Sequence, residues 1–167
     1  MRAYEIDYLA VNTNEQSLRR SEAGSKLLIG DPKHHGFFAG GNVLIGQMAA
    51  QTSANELAEA LRGADRLFIV GGLGGGTGTG AIPIIGKIAR SLDLHPIIIV
   101  TLPYSLEGTE RQQIAARGVE ALKEVESETI LLPNDQLIPY QEAHPEISQL
   151  YYLADAMLTW QAFSRLA

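Results

Sequence analysis

The chain has 167 residues, 46% apolar and 19% charged, with a net charge of −6 and no cysteine. That length suits one domain with a sizeable core and is short for two, and the composition is globular, without disordered or collagen-like bias. The absence of cysteine excludes disulfides and thiolate chemistry and removes zinc's favoured ligand.

Lysine and arginine are scattered through an acidic chain, so no basic face collects phosphates and nucleic acid is not an expected partner. The first twenty residues contain Asp7, Glu15 and a polar run rather than a signal peptide's apolar stretch. No apolar run approaches membrane-spanning length. A cytoplasmic protein with no membrane partner is expected.

Apolar runs rich in branched residues alternate with segments of helical period, which predicts an α/β domain with a mostly parallel sheet covered on both faces. The first strand is expected over 4–12. Thr13 and Gln16 have capping-box spacing ahead of a short helix, and a second strand is expected over 26–29. Ser53 and Glu56 repeat the spacing before a helix over 57–62, which Gly63 can end.

The third strand, 67–70, leads through a glycine-rich segment to a helix beginning near Thr79 or Gly80. Its apolar face carries Ile82, Ile85, Ile88, Ala89 and Leu92. The fourth strand, 96–102, contains Ile97-Ile98-Ile99-Val100, without polar alternation, and should be central and buried on both faces.

A longer helix over 108–125 has its stripe at Ile114, Gly118, Val119, Leu122 and Val125, and a fifth strand covers 128–132. Pro145 suits the first position of a last helix, with Leu150, Leu153, Met157 and Leu158 facing inward. Trp160 and Phe163 read as core or interface residues. His34, His35, His95 and His144 lack metal-ligand spacing, so the residues suggest no metal site. Without repeats or linkers, residues 1–167 read as a single domain.

The informative segment is Gly71-Gly72-Leu73-Gly74-Gly75-Gly76-Thr77-Gly78-Thr79-Gly80. Seven glycines in ten residues lose much conformational freedom on folding. A tight turn needs one or two of them, whereas backbone amides approaching an anion at a helix N-terminus account for more. Thr77 and Thr79 add hydroxyls, and no bulky side chain after Leu73 obstructs phosphate oxygens.

The P-loop pattern is absent, because Gly86-Lys87 is followed by Ile88 inside a helix. Gly76-Thr77-Gly78-Thr79-Gly80-Ala81 meets the loose dinucleotide fingerprint. Tyr104 and Ser105, however, stand where the ribose-holding acid belongs, which leaves a dinucleotide-dependent oxidoreductase as a minor alternative.

The string Gly74-Gly75-Gly76-Thr77-Gly78-Thr79-Gly80 resembles the signature loop of the tubulin and FtsZ family, closer to FtsZ. Four further segments are similar to family loops in family order. Asn12-Thr13 within 10–14 resembles the second loop, and Ala39-Gly40-Gly41-Asn42 the third. Pro103-Tyr104-Ser105-Leu106-Glu107-Gly108 with Arg111 resembles the sugar loop, and Leu132-Pro133-Asn134-Asp135 the base loop.

The resemblance implies a three-layer α/β/α, Rossmann-like domain that binds GTP and GDP. Gly74, Gly75, Gly76, Thr77, Gly78, Thr79 and Gly80 would wrap the α- and β-phosphates, with Asn12 in the neighbouring loop. Gly40, Gly41 and Asn42 would reach the γ-phosphate. Glu107 would bond the ribose, Arg111 the sugar or phosphates, and Asn134 the guanine edge. Tyr151 would pack on the base.

Family members carry Asn then Asp on the last helix; Asp155-Ala156 stands at that pair, and Asp155 would accept from the guanine ring. Magnesium usually accompanies a triphosphate, although no residue here demands it.

Simpler readings stay open from the residues themselves. Asn12 and Asn14 suit helix caps, and 133–135 an ordinary turn. Glu107 suits a first-turn acid, with Arg111 as its ion-pair partner.

The family pattern also includes a first strand with its own glycine-rich phosphate loop, and a catalytic carboxylate loop after the long helix. Neither lies within these 167 residues, which are expected to end inside that helix without a C-terminal activation domain. Weak or no hydrolysis by this chain alone follows, as does an uncovered row of hydrogen-bonding groups beside the strand over 4–12 and that over 67–70. Self-association or pairing with a related FtsZ-like subunit is the corresponding partner expectation, and an interaction module that binds no nucleotide is the alternative function.

Overall fold

The computed structural model describes residues 6–31, 39–136 and 147–165, with side chains of the last stretch described from Ala154 onward. In chain order the elements are β1 (Leu9–Asn12), α1 (Glu15–Arg20), β2 (Ser25–Leu28), α2 (Val43–Thr52), α3 (Ala54–Leu61), β3 (Phe68–Gly72), α4 (Gly76–Ser91), β4 (Ile97–Leu102), α5 (Thr109–Lys123), β5 (Glu128–Pro133) and α6 (Ile147–Phe163). A 3₁₀ turn at Ser105–Glu107 precedes α5.

All the pairings among the described residues are parallel. Leu9 to Asn12 lie opposite Ser25 to Leu28, and β4 lies between β3 and β5, with Ile99 opposite both Val70 and Ile130. The strands form two sheets, β1-β2 and β3-β4-β5, and among the described residues no ladder joins β1 to β3. Both strands therefore keep an unpaired edge, in line with the uncovered row expected there.

The expected central strand is the middle one of its sheet, and Ile98, Ile99 and Val100 are wholly buried. Ile98 and Val100 join Ile69, Ala81, Ile82, Ile85, Ala115 and Leu122 in one cluster under α4 and α5. Ile99 points to the opposite face by strand alternation, where α6 packs on β4 with Ala154 and Leu158 buried. The order is helix, sheet, helix. Each fully buried branched side chain contributes about 1.5–3 kcal/mol.

Several boundaries differ from expectation. β1 starts at Leu9, with Ile6 to Tyr8 outside any strand. The cap of α1 is Asn14, whose side chain accepts from Ser17 N, rather than Thr13. Ser53 is the N-cap of α3 but makes no side-chain capping bond; its Oγ accepts from Gly30 N at 3.0 Å instead.

Helix α2 was not predicted. Leu44, Ile45 and Met48 lie exposed on it while Gly46, Ala49 and Ala50 are buried, so apolar residues occupy both faces and erase the periodic contrast. Trp160 and Phe163 sit exposed on α6, on the surface rather than in the core. α6 winds out at Phe163. Pro145 lies outside the described residues. No helix among the described residues is long and apolar enough to cross a membrane.

The crossing of α2 and α4 positions the rest. A Cβ built on Gly46 would stand 2.2 Å from Gly76 O, and one on Gly80 2.3 Å from Val43 O and 2.5 Å from Gln47 N. The helices therefore touch backbone to backbone, a contact that only glycine allows at these positions. In an ordinary helix interior Gly→Ala is favourable by about 1 kcal/mol; here the methyl overlaps main-chain atoms, and overpacking of this kind costs about 1–3 kcal/mol. Gly46→Ala is expected to lower the unfolding free energy by about 1–3 kcal/mol, read as a lower urea midpoint, whereas Gly24→Ala, with no atom within 4 Å of the added methyl, should leave the midpoint nearly unchanged.

Helices α4 and α5 are joined at the surface by Lys87 Nζ to Glu124 Oε2 at 2.8 Å. The hydrogen bond and positive charge of Lys87 hold the Glu124 carboxyl below its usual range. A depressed carboxylate contributes stability that is present above its unfolded pKa and lost as pH falls through its folded one. The stability difference between wild type and Lys87→Ala, followed by urea unfolding, should be small for so exposed a pair, greatest at neutral pH, and fade as pH falls through and below the glutamate range.

Candidate functional site

Parallel strands place all their C-terminal ends on one side, and in open α/β sheets ligands bind in the crevice beyond those ends. Here the five loops leaving that side are linked to one another. After β1, Asn12 Oδ1 accepts from Asn14 N at 3.0 Å, which shapes the turn that Asn14 then caps. Thr13, next in the chain, is buried at 7% exposure and shares a 2.8 Å hydroxyl contact with Thr77 Oγ1. Thr13 Oγ1 also accepts from Ala39 N at 3.3 Å.

The 39–42 turn follows, with Gly40 and Gly41 at φ of 55° and 84°, both exposed. Asn42 N donates to Ala39 O at 2.7 Å, and its side chain caps α2 by accepting from Leu44 N at 3.0 Å. This turn lies directly on the start of α4: a Cβ on Gly76 would stand 2.7 Å from Asn42 O and from Ala39 Cβ.

The glycine-rich segment divides in two. Gly71 and Gly72 end β3, and α4 begins at Gly76 rather than near Thr79 or Gly80, so only 73–75 form a true loop. Part of the glycine content thus serves the helix crossing and not a ligand. Gly74, at φ of 100°, donates its N–H to Thr79 Oγ1 at 2.9 Å, and Thr79 is buried, its oxygen turned into the protein. Gly75 caps the helix with no side-chain bond. The first-turn amides of Gly76, Thr77 and Gly78 therefore have no intrahelical acceptor, and the positive end of the helix dipole lies there.

A Cβ on Gly74 would meet Arg111 O at 3.1 Å and Pro103 Cγ at 3.2 Å, so the glycine loop abuts the loop after β4. Glu107 Oε1 accepts from Tyr104 N at 2.8 Å, and Oε2 pairs with the Arg111 guanidinium, so the simpler reading of an i,i+4 ion pair holds for this couple. Beyond it, Ser105 N and Oγ donate to the Asp135 carboxylate at 2.9 and 2.5 Å, tying the β4 loop to the one after β5.

Asn134 in that last loop is 4% exposed, and its Oδ1 is buried with no hydrogen-bond partner. Such orphans are rare in folded proteins and call for an explanation. Asp155 is exposed on α6, with Thr159 Oγ1 donating to its backbone carbonyl. Tyr151 belongs to α6, but its side chain lies outside those described.

The structure therefore brings the Asn12, Gly40 to Asn42, Gly74 to Gly80, Glu107 with Arg111, and Asn134 segments into one continuous rim. Thr13, Ser105 and Asp135 hold the rim together; from sequence alone Thr13 carried only a capping role, and Ser105 and Asp135 none of their own. Polar residues in loops after adjacent parallel strands are the signal that could have found them. Among the described residues no group of His, Cys, Asp or Glu is arranged to hold a metal ion.

The rim can be set against known proteins. The family model described as Tubulin/FtsZ family, GTPase domain, matches residues 3–141. Among solved structures, an empty FtsZ dimer from M. jannaschii superposes with a TM-score of 0.84 at 38% identity, covering 90% of this chain and 43% of that one. A W319Y mutant of M. jannaschii FtsZ is 37% identical, with 91% and 46% covered at a TM-score of 0.84.

CetZ1 from Haloferax volcanii, a GDP-bound monomer, gives a TM-score of 0.78 at 22% identity, with 90% and 48% covered, and shows likeness of fold alone. The chain spans less than half the length of these relatives. With the match running from β1 through β5 and over every loop of the rim, this chain belongs to the Tubulin/FtsZ family and carries its GTPase-domain fold.

Proposed function

We propose that this chain is the guanine-nucleotide-binding domain of an FtsZ-like cytoskeletal and cell-division protein, taking GTP and GDP, with weak or no hydrolysis by the chain alone. The observation that carries the reading is the buried, unpartnered Oδ1 of Asn134, in the same rim as the uncapped first turn of α4. A ligand with an anionic tail and a base edge bearing N–H donors satisfies both. The amide oxygen accepts from a base N–H while its NH₂ donates.

In this reading the amides from Gly74 to Gly80 take the α- and β-phosphates, with Asn12 beside them, and Gly40, Gly41 and Asn42 take the γ-phosphate. Glu107 meets the ribose. Two of its roughly four acceptor positions are used by Tyr104 N and Arg111, and the others are available to sugar hydroxyls. Arg111 adds positive charge at the sugar-phosphate junction; on α6, Asp155 is proposed to accept from the guanine ring, and Tyr151 is the residue assigned to the base. A magnesium ion would accompany the triphosphate and neutralise part of its charge; no residue of the rim is assigned to hold it.

Phosphoryl transfer depends on positioning and electrostatics. The carboxylates of the rim, Glu107 and Asp135, are engaged by Tyr104, Arg111 and Ser105, which supports slow turnover. The unpaired edges of β1 and β3 favour a second reading, an interaction module that pairs with itself or with a related FtsZ-like subunit.

Calorimetric titration with GTP and GDP in magnesium buffer should give saturable binding, and no heat at millimolar nucleotide would sink the first reading. Light scattering on the same samples should detect self-association if the second holds, and a strict monomer that neither joins nor caps filaments removes it. Asn134→Ala is expected to weaken guanine-nucleotide binding by about 2- to 13-fold, the equivalent of one net hydrogen bond of about 0.5–1.5 kcal/mol, with the preference over adenine nucleotides reduced. Because the substitution also removes a buried orphan, the urea midpoint should stay constant or rise.

A further inference from the structure

Thr13 lies at a point where three of the rim's loops meet. It follows the last residue of β1 and is released from capping because Asn14 performs that task. Its hydroxyl oxygen accepts from Ala39 N at 3.3 Å and lies 2.8 Å from Thr77 Oγ1. A threonine hydroxyl has one proton and two lone pairs, so with one lone pair on Ala39 the remaining choice is whether Thr13 or Thr77 donates between the two hydroxyls.

Both arrangements satisfy the geometry when no anion is present. They differ in what they offer beyond the pair. When Thr13 donates, the Thr77 proton is free to point outward from the first turn of α4, beside the amides of Gly76 and Gly78. When Thr77 donates, that proton is spent inside the protein. An anion at the helix start accepts protons only, so it favours the first arrangement. Hydrogen bonds in such a chain polarise one another in the same direction, and the chain runs from the anion through Thr77 and Thr13 toward the 39–42 turn.

We propose that Thr13 is a positioning residue that sets Thr77 as a hydroxyl donor to the nucleotide phosphates and, through Ala39 N, ties the 39–42 turn to the same point, so that discrimination between GTP and GDP depends on it. The proposal rests on the nucleotide-binding reading above. Thr13 itself need not touch the ligand; it acts by orienting a neighbour and anchoring a turn.

The test compares wild type, Thr13→Val, Thr13→Ser, Thr77→Val and the double variant Thr13→Val/Thr77→Val, with GTP and GDP titrations and urea unfolding on each. Thr13→Val, which keeps shape and removes the hydroxyl, should weaken GTP binding by about 5- to 10-fold, as expected for one lost hydrogen bond, and GDP binding by less. Thr13→Ser should restore affinity to within about twofold, since it keeps the donor. In the Thr77→Val background the Thr13 substitution should have little further effect, the non-additivity that marks a shared interaction.

Unchanged affinities in a folded Thr13→Val, or losses that add fully in the double variant, overturn the proposal. Should Thr13→Val fail to fold, Thr77→Val probes the same pair from the other side, and its retention of wild-type GTP affinity overturns it equally. A wild-type chain that binds neither nucleotide has a different signature and overturns the underlying reading together with the proposal.

Discussion

The backbone contact between α2 and α4 is the constraint on which the rest of the molecule depends. Gly46, Gly76 and Gly80 let two helices meet at distances that a methyl group would forbid, and this brings Ala39 and Asn42 onto the start of α4. Without that approach the 39–42 turn would stand away from Thr13 and Thr77, and the rim would lose its link between the two sheets. Close packing of main chain is also an unforgiving joint, since densely packed interiors accommodate added volume poorly.

The remaining architecture follows from parallel pairing. Every strand delivers its C-terminal loop to the same side, so the loops are neighbours before any specific contact is made. Short polar links then lock them: Thr13 to Thr77 and Ala39, Gly74 to Thr79, and Ser105 to Asp135. The guanidinium of Arg111, the residue whose backbone carbonyl abuts Gly74, is paired with Glu107. Positive potential at the rim therefore comes chiefly from main-chain amides and the α4 dipole, in a chain whose net charge is −6.

Among the described residues, the split between β1-β2 and β3-β4-β5 leaves one edge of β1 and one of β3 unpaired, as are the outer edges of β2 and β5, while helices cover both faces of the fold. Exposed edges are sites of strand addition. The core does not depend on a ladder across the split, because Val11 and Leu27 pack on the same cluster as Ile69 and Ile82. Side-chain burial on shared helices and the Thr13–Thr77 hydroxyl contact, rather than a strand ladder, hold the two sheets in one domain.

What the sequence determined by itself is the order and type of most elements and the identity of the rim segments. Branched runs such as Ile97 to Val100 can be little else than buried strands, and the glycine string with its four companion loops has few other uses. What it could not decide is where each polar atom goes. Thr13 and Ser53 both carry capping spacing, yet the hydroxyl of one bridges two loops and that of the other accepts from Gly30. Helix α2 was hidden because apolar residues fall on both its faces. The glycines of 71–80 are divided between a helix crossing and an uncapped helix start only by their three-dimensional neighbours. Propensity and periodicity are local quantities, whereas hydrogen-bond partners and backbone contacts are set by residues 26 or 64 positions away, and only the tertiary structure brings those together.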